Sequence, residues 1–126
     1  MILLDTDVLI EIFDKDSETG KKAYLKVAES GEEFATTVIN LHELLYGLIK
    51  YKKQTEHVTA LPICDYTKTD AALSAGLEYE AESMGKKTMR TDAMIAAIAI
   101  NNGAALYTNN TKHFEAFQNF GLKLLK

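Results

Sequence analysis

Apolar and polar positions follow two different periods along this chain. Short apolar runs at Ile2 to Leu4, Phe34 to Thr37, Leu61 to Ile63, Ala105 to Thr108 and Leu122 to Leu125 read as β-strands. Between them, apolar residues recur three and four positions apart, the spacing of one helix face. Thr67 and Asp70 have capping-box spacing and open a helix that carries Leu73, Leu77, Ala81 and Met84 on one face and stops at Gly85. A second helix runs from about Thr91 to Asn102, ends at Gly103, and is so rich in Ala and Ile that it must pack closely. A third carries Leu41, Leu44, Leu45 and Leu48. Strands that alternate with helices predict an α/β fold, with helices on both faces of a mainly parallel five-stranded sheet. No linker, repeat or low-complexity tract divides the chain, so residues 1–126 are expected to form one domain.

Composition narrows the class without naming a chemistry. With 126 residues, 47% of them hydrophobic, the chain can bury a core of its own. Its one cysteine, Cys64, follows Leu61-Pro62-Ile63 and reads as a small core residue, consistent with a reducing, cytoplasmic setting. Neither a secretory leader nor an apolar run of membrane-spanning length is visible, so no membrane partner is expected. A net charge of −4 argues against a general nucleic-acid coat. Lys50, Lys52 and Lys53 form one local basic rim, and Lys86, Lys87 and Arg90 another.

The candidate chemistry lies in carboxylates at strand ends. The first strand stops at Asp5-Thr6-Asp7, and in open parallel sheets ligands bind beyond the carboxyl ends of strands. Asp5 and Asp7 can alternatively cap the helix that follows, a role Asp favours. Thr6 reads as a turn residue. Glu43 sits early in the Leu-rich helix after the second strand, Asp92 in the first turn of the Ala-rich helix, and Thr108-Asn109-Asn110 directly after the fourth strand. Each has an ordinary explanation alone: a solvated helix acid, a helix-dipole partner, a polar turn. Together they converge on one crevice, where carboxylates repel unless a cation joins them. A hard divalent ion such as Mg²⁺ or Mn²⁺ suits oxygen ligands. Zinc-protease chemistry is excluded, because His42-Glu43 would need histidine where Tyr46 stands.

Leu4-Asp5-Thr6-Asp7, Thr37 with Glu43-Leu44-Leu45-Tyr46-Gly47, Thr91-Asp92-Ala93-Met94-Ile95-Ala96, and Thr108-Asn109-Asn110 with His113-Phe114 resemble, in order, the motifs of PIN-domain ribonucleases. The likeness is nearest to the VapC toxins of prokaryotic toxin–antitoxin pairs and spans nearly the whole chain. It implies a three-layer α/β/α fold and RNA cleavage dependent on Mg²⁺ or Mn²⁺, with transfer or ribosomal RNA as substrate. It also implies a homodimer and a small antitoxin that inhibits it. By the same resemblance Asp5, Glu43 and Asp92 are catalytic metal-binding acids, and Thr108 supports the site through its hydroxyl. Asp7 and Asn110 are supporting positions. Asn110 stands where some members carry a fourth acid, which leaves one metal or two open. The implied reaction is in-line attack by metal-activated water on a phosphodiester, giving a 5′-phosphate and a 3′-hydroxyl. His113 either holds the loop or touches RNA.

Two other functions fit parts of the sequence. Asp5-Thr6-Asp7-Val8-Leu9 also resembles the first motif of haloacid-dehalogenase-type phosphatases, but the late acidic pair of that family is replaced by Thr108-Asn109-Asn110. A non-catalytic PIN-like binding module is the other, and the retained acids speak against it.

Overall fold

A computed structural model describes residues 1–13 and 17–125. Strand β1 (Ile2–Leu4) is followed by helices α1 (Thr6–Phe13) and α2 (Glu18–Glu29), strand β2 (Phe34–Thr37), helix α3 (Val38–Lys50) and strand β3 (Ile63–Cys64). Helices α4 (Lys68–Ser83) and α5 (Arg90–Asn101), strand β4 (Ala105–Tyr107), helix α6 (Thr111–Gln118) and strand β5 (Lys123–Leu124) complete the order.

The strands form one sheet in the order β3-β2-β1-β4-β5, and every pairing is parallel, so the sheet is more uniform than the mainly parallel one expected. Connections run outward in opposite directions from the β1–β4 pair, which is the switch point where such sheets hold ligands. Leu4 lies opposite Tyr107, so Asp5 and Thr108 emerge side by side.

β1 is buried on both faces because its side chains alternate between two cores. Leu3 packs with α4, α5 and α6 through Leu77, Ile95, Ile98 and Phe117. Ile2 and Leu4 pack with α1, α2 and α3 through Val8, Val27 and Leu44. The result is the α/β/α sandwich that the family resemblance implies. Ala93, Ala96, Ala97 and Ala99 are fully buried, so the expected close packing of α5 holds. The capping box of α4 is present: the Asp70 backbone N–H donates to Thr67 Oγ1 at 3.2 Å and the Thr67 N–H donates to Asp70 Oδ2 at 2.9 Å. Gly85 and Gly103, with φ of 73° and 62°, follow α4 and α5 in the left-handed conformation that glycine adopts without strain.

Three expectations need correction. The third strand was expected at Leu61 to Ile63 but forms at Ile63–Cys64, because Pro62 has no N–H for the ladder and contributes only its carbonyl, which accepts from the Thr36 N–H at 3.0 Å. The edge strand leaves Cys64 half-buried against the core rather than inside it, and burial with Asp65 and Asp70 nearby pushes its thiol pKa up. Met84, placed on the apolar face of α4, is exposed where that helix ends.

Candidate active site

Asp5 is the centre of the site. Burial of Ile2 to Leu4 carries it to the end of β1, where its backbone carbonyl accepts the first helical bond of α1, from Leu9 at 3.0 Å. Asp5 is thus the residue before the helix, and Asp7 lies inside the first turn. Asp5 is itself buried, and three groups orient its carboxylate. Oδ1 accepts from the Thr6 N–H at 2.9 Å and from Asn40 Nδ2 at 2.8 Å, and Oδ2 accepts from the Thr108 hydroxyl at 2.6 Å. A carboxylate offers about four lone-pair sites. One on Oδ2 remains for a ligand.

Asn40 was not singled out in the sequence. It is fully buried in the first turn of α3, where an amide must find partners. The Thr37 side chain caps α3 by accepting the Asn40 N–H at 3.1 Å, so its own hydroxyl hydrogen goes to Asn40 Oδ1 at 2.7 Å. That turns the Asn40 NH₂ toward the acids, where it reaches both Asp5 and Thr6 Oγ1, the latter at 3.0 Å. Thr6 in turn donates to Glu43 Oε1 at 3.1 Å. Thr6 is therefore the link between Asp5, Asn40 and Glu43 rather than a turn residue alone. The available signal was a polar amide three residues after a capping threonine, among Val38, Ile39 and Leu41.

Asp92 comes from the first turn of α5, and its side chain is 14% exposed. Burial pushes its carboxyl up from an ordinary 3.8 to about 6; His113 opposes this, while Asp5 and Glu43 add to it by repulsion. His113 Nδ1 lies 3.7 Å from Asp92 Oδ2, so the histidine faces the acid site from α6. Glu43 is exposed at the rim.

Asp7 is held by backbone groups. Its oxygens accept from the Val8 N–H at 2.7 Å and the Asn109 N–H at 3.0 Å, stapling α1 to the turn after β4. Burial and the Asp5 charge raise its pKa against those bonds. Asn110 supports the site through its backbone N–H, which donates to Thr108 Oγ1 at 3.0 Å. Its side chain makes no capping bond to α6.

Among the described residues, no three His, Cys, Asp or Glu side chains converge into a ready-made metal cage. The donor set nevertheless fits Mg²⁺, which binds through one or two carboxylates and keeps several waters. The repulsion from Asp5 and Glu43 that adds to the effect of burial on Asp92 is what such a cation would neutralise.

The chain is similar in sequence and fold to known proteins. The chain is 28% identical over 128 residues to Ribonuclease VapC2 of Rickettsia felis, covering 96% of this chain and 95% of that protein. It is 29% identical over 126 residues to Ribonuclease VapC1 of Methanocaldococcus jannaschii, covering 98% and 85%. Its fold is similar to a chain in the crystal structure of Rickettsia felis VapBC2 bound to a promoter DNA fragment, with a TM-score of 0.80, 28% identity and coverage of 99% and 98%. A Klebsiella pneumoniae toxin–antitoxin complex is similar at a TM-score of 0.74 and 26% identity, covering 90% of each chain. A family model of the PIN domain matches residues 2–119, and the chain belongs to that family.

Proposed function

We propose that the chain, as one nuclease domain over residues 1–126, is a VapC-like endoribonuclease that hydrolyses RNA phosphodiester bonds with Mg²⁺ or Mn²⁺. The observation that carries this is Asp5 at the switch point of the sheet, oriented by Asn40 and Thr108, with Asp92 near enough to be repelled by both Asp5 and Glu43. The similarity to proteins named Ribonuclease VapC supports it.

When bound, the cation supplies neutralisation of charge at the phosphate and lowers the pKa of water. Asp5, Asp92 and Glu43 are the residues that would hold it. Thr108 and Asn40 keep Asp5 in one orientation, and Thr6 does the same for Glu43. Water attacks phosphorus in line with the departing 3′ oxygen. The three carboxylates line the attack path, and one of them takes the water's proton. The P–O3′ bond breaks, the 3′ oxygen is protonated, and the 5′-phosphate remains.

Structural neighbours solved as toxin–antitoxin complexes support a small antitoxin as inhibitory partner. The substrate proposed is transfer or ribosomal RNA, the assembly a homodimer and the compartment the cytoplasm. No helix among the described residues is long and apolar enough to cross a membrane. The phosphatase alternative gains nothing from Asp7, each of whose oxygens is held by a backbone N–H group.

The test is incubation of end-labelled small RNA with the protein and Mn²⁺, Mg²⁺ or chelator, beside Asp5→Asn. Discrete metal-dependent cuts that vanish in a folded Asp5→Asn protein are expected. Full activity of that variant would remove the site assignment, and phosphate release without RNA cuts would restore the phosphatase.

A further inference from the structure

Helix α3 leaves the acid site with an outer surface the reaction does not use. Tyr46 is 62% exposed and Tyr51 is 69% exposed, although tyrosine rings are costly to leave in water. Lys50 Nζ stands 5.8 Å from the centroids of both rings, close enough for cation–π attraction. Lys52 and Lys53 follow. No acid occurs between Glu43 and Glu56, in a chain whose net charge is −4.

This stretch is joined to the site. A groove of about 260 Å³ is lined by Glu43, Gly47, Leu48, Tyr51 and Lys53 of this segment with Ile10 of α1. From Glu43 to Tyr51 the helix rises about 12 Å, the span of three or four stacked nucleotides at roughly 3.4 Å each.

The end of α3 keeps a lysine where glycine would be easier. The Lys53 N–H donates to the Leu48 carbonyl at 2.8 Å and the Lys52 N–H to Ile49 at 3.1 Å, the pattern of a Schellman cap. Lys52 takes the left-handed position with φ of 56°, which strains any residue with a Cβ. The second basic rim differs, because both Arg90 Nε and Nη2 bond Glu78, at 3.0 and 3.1 Å.

We propose that Tyr46, Lys50 and Tyr51, with Lys52 and Lys53 beyond them, form a track that binds single-stranded RNA and leads it to Glu43. Bases stack on the tyrosine rings and phosphates meet the lysines, the combination by which single strands are held without sequence readout. Charge complementarity favours RNA over a protein occupant. The track rests on the nuclease function proposed above.

The test is fluorescence anisotropy of a short labelled single-stranded RNA in chelator, where cleavage plays no part. Tyr51→Leu should weaken binding about ten-fold, with duplex of the same sequence bound less well than the single strand by the unaltered protein. Lys52→Gly should raise the melting temperature by relieving the left-handed strain, yet lower the magnitude of the salt slope by about 0.7. A stabilised variant that binds less cannot be dismissed as misfolded. Wild-type affinity and salt slope in both variants would overturn the track, as would failure of the unaltered protein to bind. So would unchanged RNA binding with an altered mass in solution for Tyr51→Leu, which would make the stripe a contact between copies. With Mn²⁺ added, wild-type KM in both variants means that the track fails and the nuclease stands. Binding without any cleavage by the unaltered protein means that the nuclease function fails.

Discussion

Asn40 spends its backbone N–H, its carbonyl oxygen and its NH₂ inside the site, on Thr37, Asp5 and Thr6. Asn40→Leu keeps the backbone N–H but loses the side-chain oxygen and NH₂. It should cost about 1–3 kcal/mol in urea unfolding, because Asp5 Oδ1 and the Thr37 hydroxyl lose a buried partner. Mn²⁺ affinity should fall about 10–100-fold, the usual consequence of losing an outer-shell hydrogen bond. Unchanged affinity in calorimetric titration would reduce Asn40 to a packing role. Asp92 makes a prediction about pH. Its carboxyl is at about 6 in the folded protein against an ordinary 3.8, so between those values the folded state binds more protons than the unfolded one. The contribution of Asp92 to stability is therefore complete below 3.8 and lost as pH rises through about 6, a swing of about 3 kcal/mol at most. In chelator, Asp92→Asn should gain stability relative to the unaltered protein as pH rises through that window. Parallel pH profiles of urea midpoint would refute it.

At the scale of elements, α4 and α5 show how local chemistry and packing share the work. Asp70 closes the capping box and also accepts from Asn101 Nδ2 of α5 at 2.7 Å. Burial alone would raise its carboxyl, but the bonds from Thr67 and Asn101 hold it below its ordinary range. Asp70→Ala should cost about 1–2 kcal/mol, the ordinary worth of a cap, as read from the thermal midpoint. α5 depends on small side chains instead. Ala96→Leu, fully buried, should overpack the core and cost about 1–3 kcal/mol while α5 itself remains a good helix former. The capping box and the Ala-rich run are both visible in sequence because they are local. The position of β3 was not, because its ladder partner is β2 and Pro62 shifts the pairing.

Over the whole molecule, the acids come from three separate segments, β1's end, α3 and α5, and a shared cation would tie them together. Mn²⁺ at one hundred times its dissociation constant should add about 2.7 kcal/mol to stability. Melting shifts with Mn²⁺ that are the same in Asp5→Asn, Glu43→Gln and Asp92→Asn as in the unaltered protein would eliminate a shared metal. The same topology explains why α3 matters twice. Its first two turns supply Asn40 and Glu43 to the site, and its last turn carries Lys50 to the Tyr46 and Tyr51 rings.

What the sequence determined by itself is the set of elements and the acids at their ends. Period, caps and glycine stops act over a few residues, so β1 with Asp5, α5 with Asp92 and the loop with Thr108 are all legible from neighbours in the chain. Only the tertiary structure decided how those ends combine. Strand order brought Thr108 to Asp5 across more than a hundred residues, and burial of Asn40 turned an ordinary helix amide into the group that orients an acid. Asp7, equally acidic in sequence, was turned to a backbone staple. The physical reason is that hydrogen-bond partners and desolvation depend on what packs nearby in space, and a one-dimensional pattern carries neither.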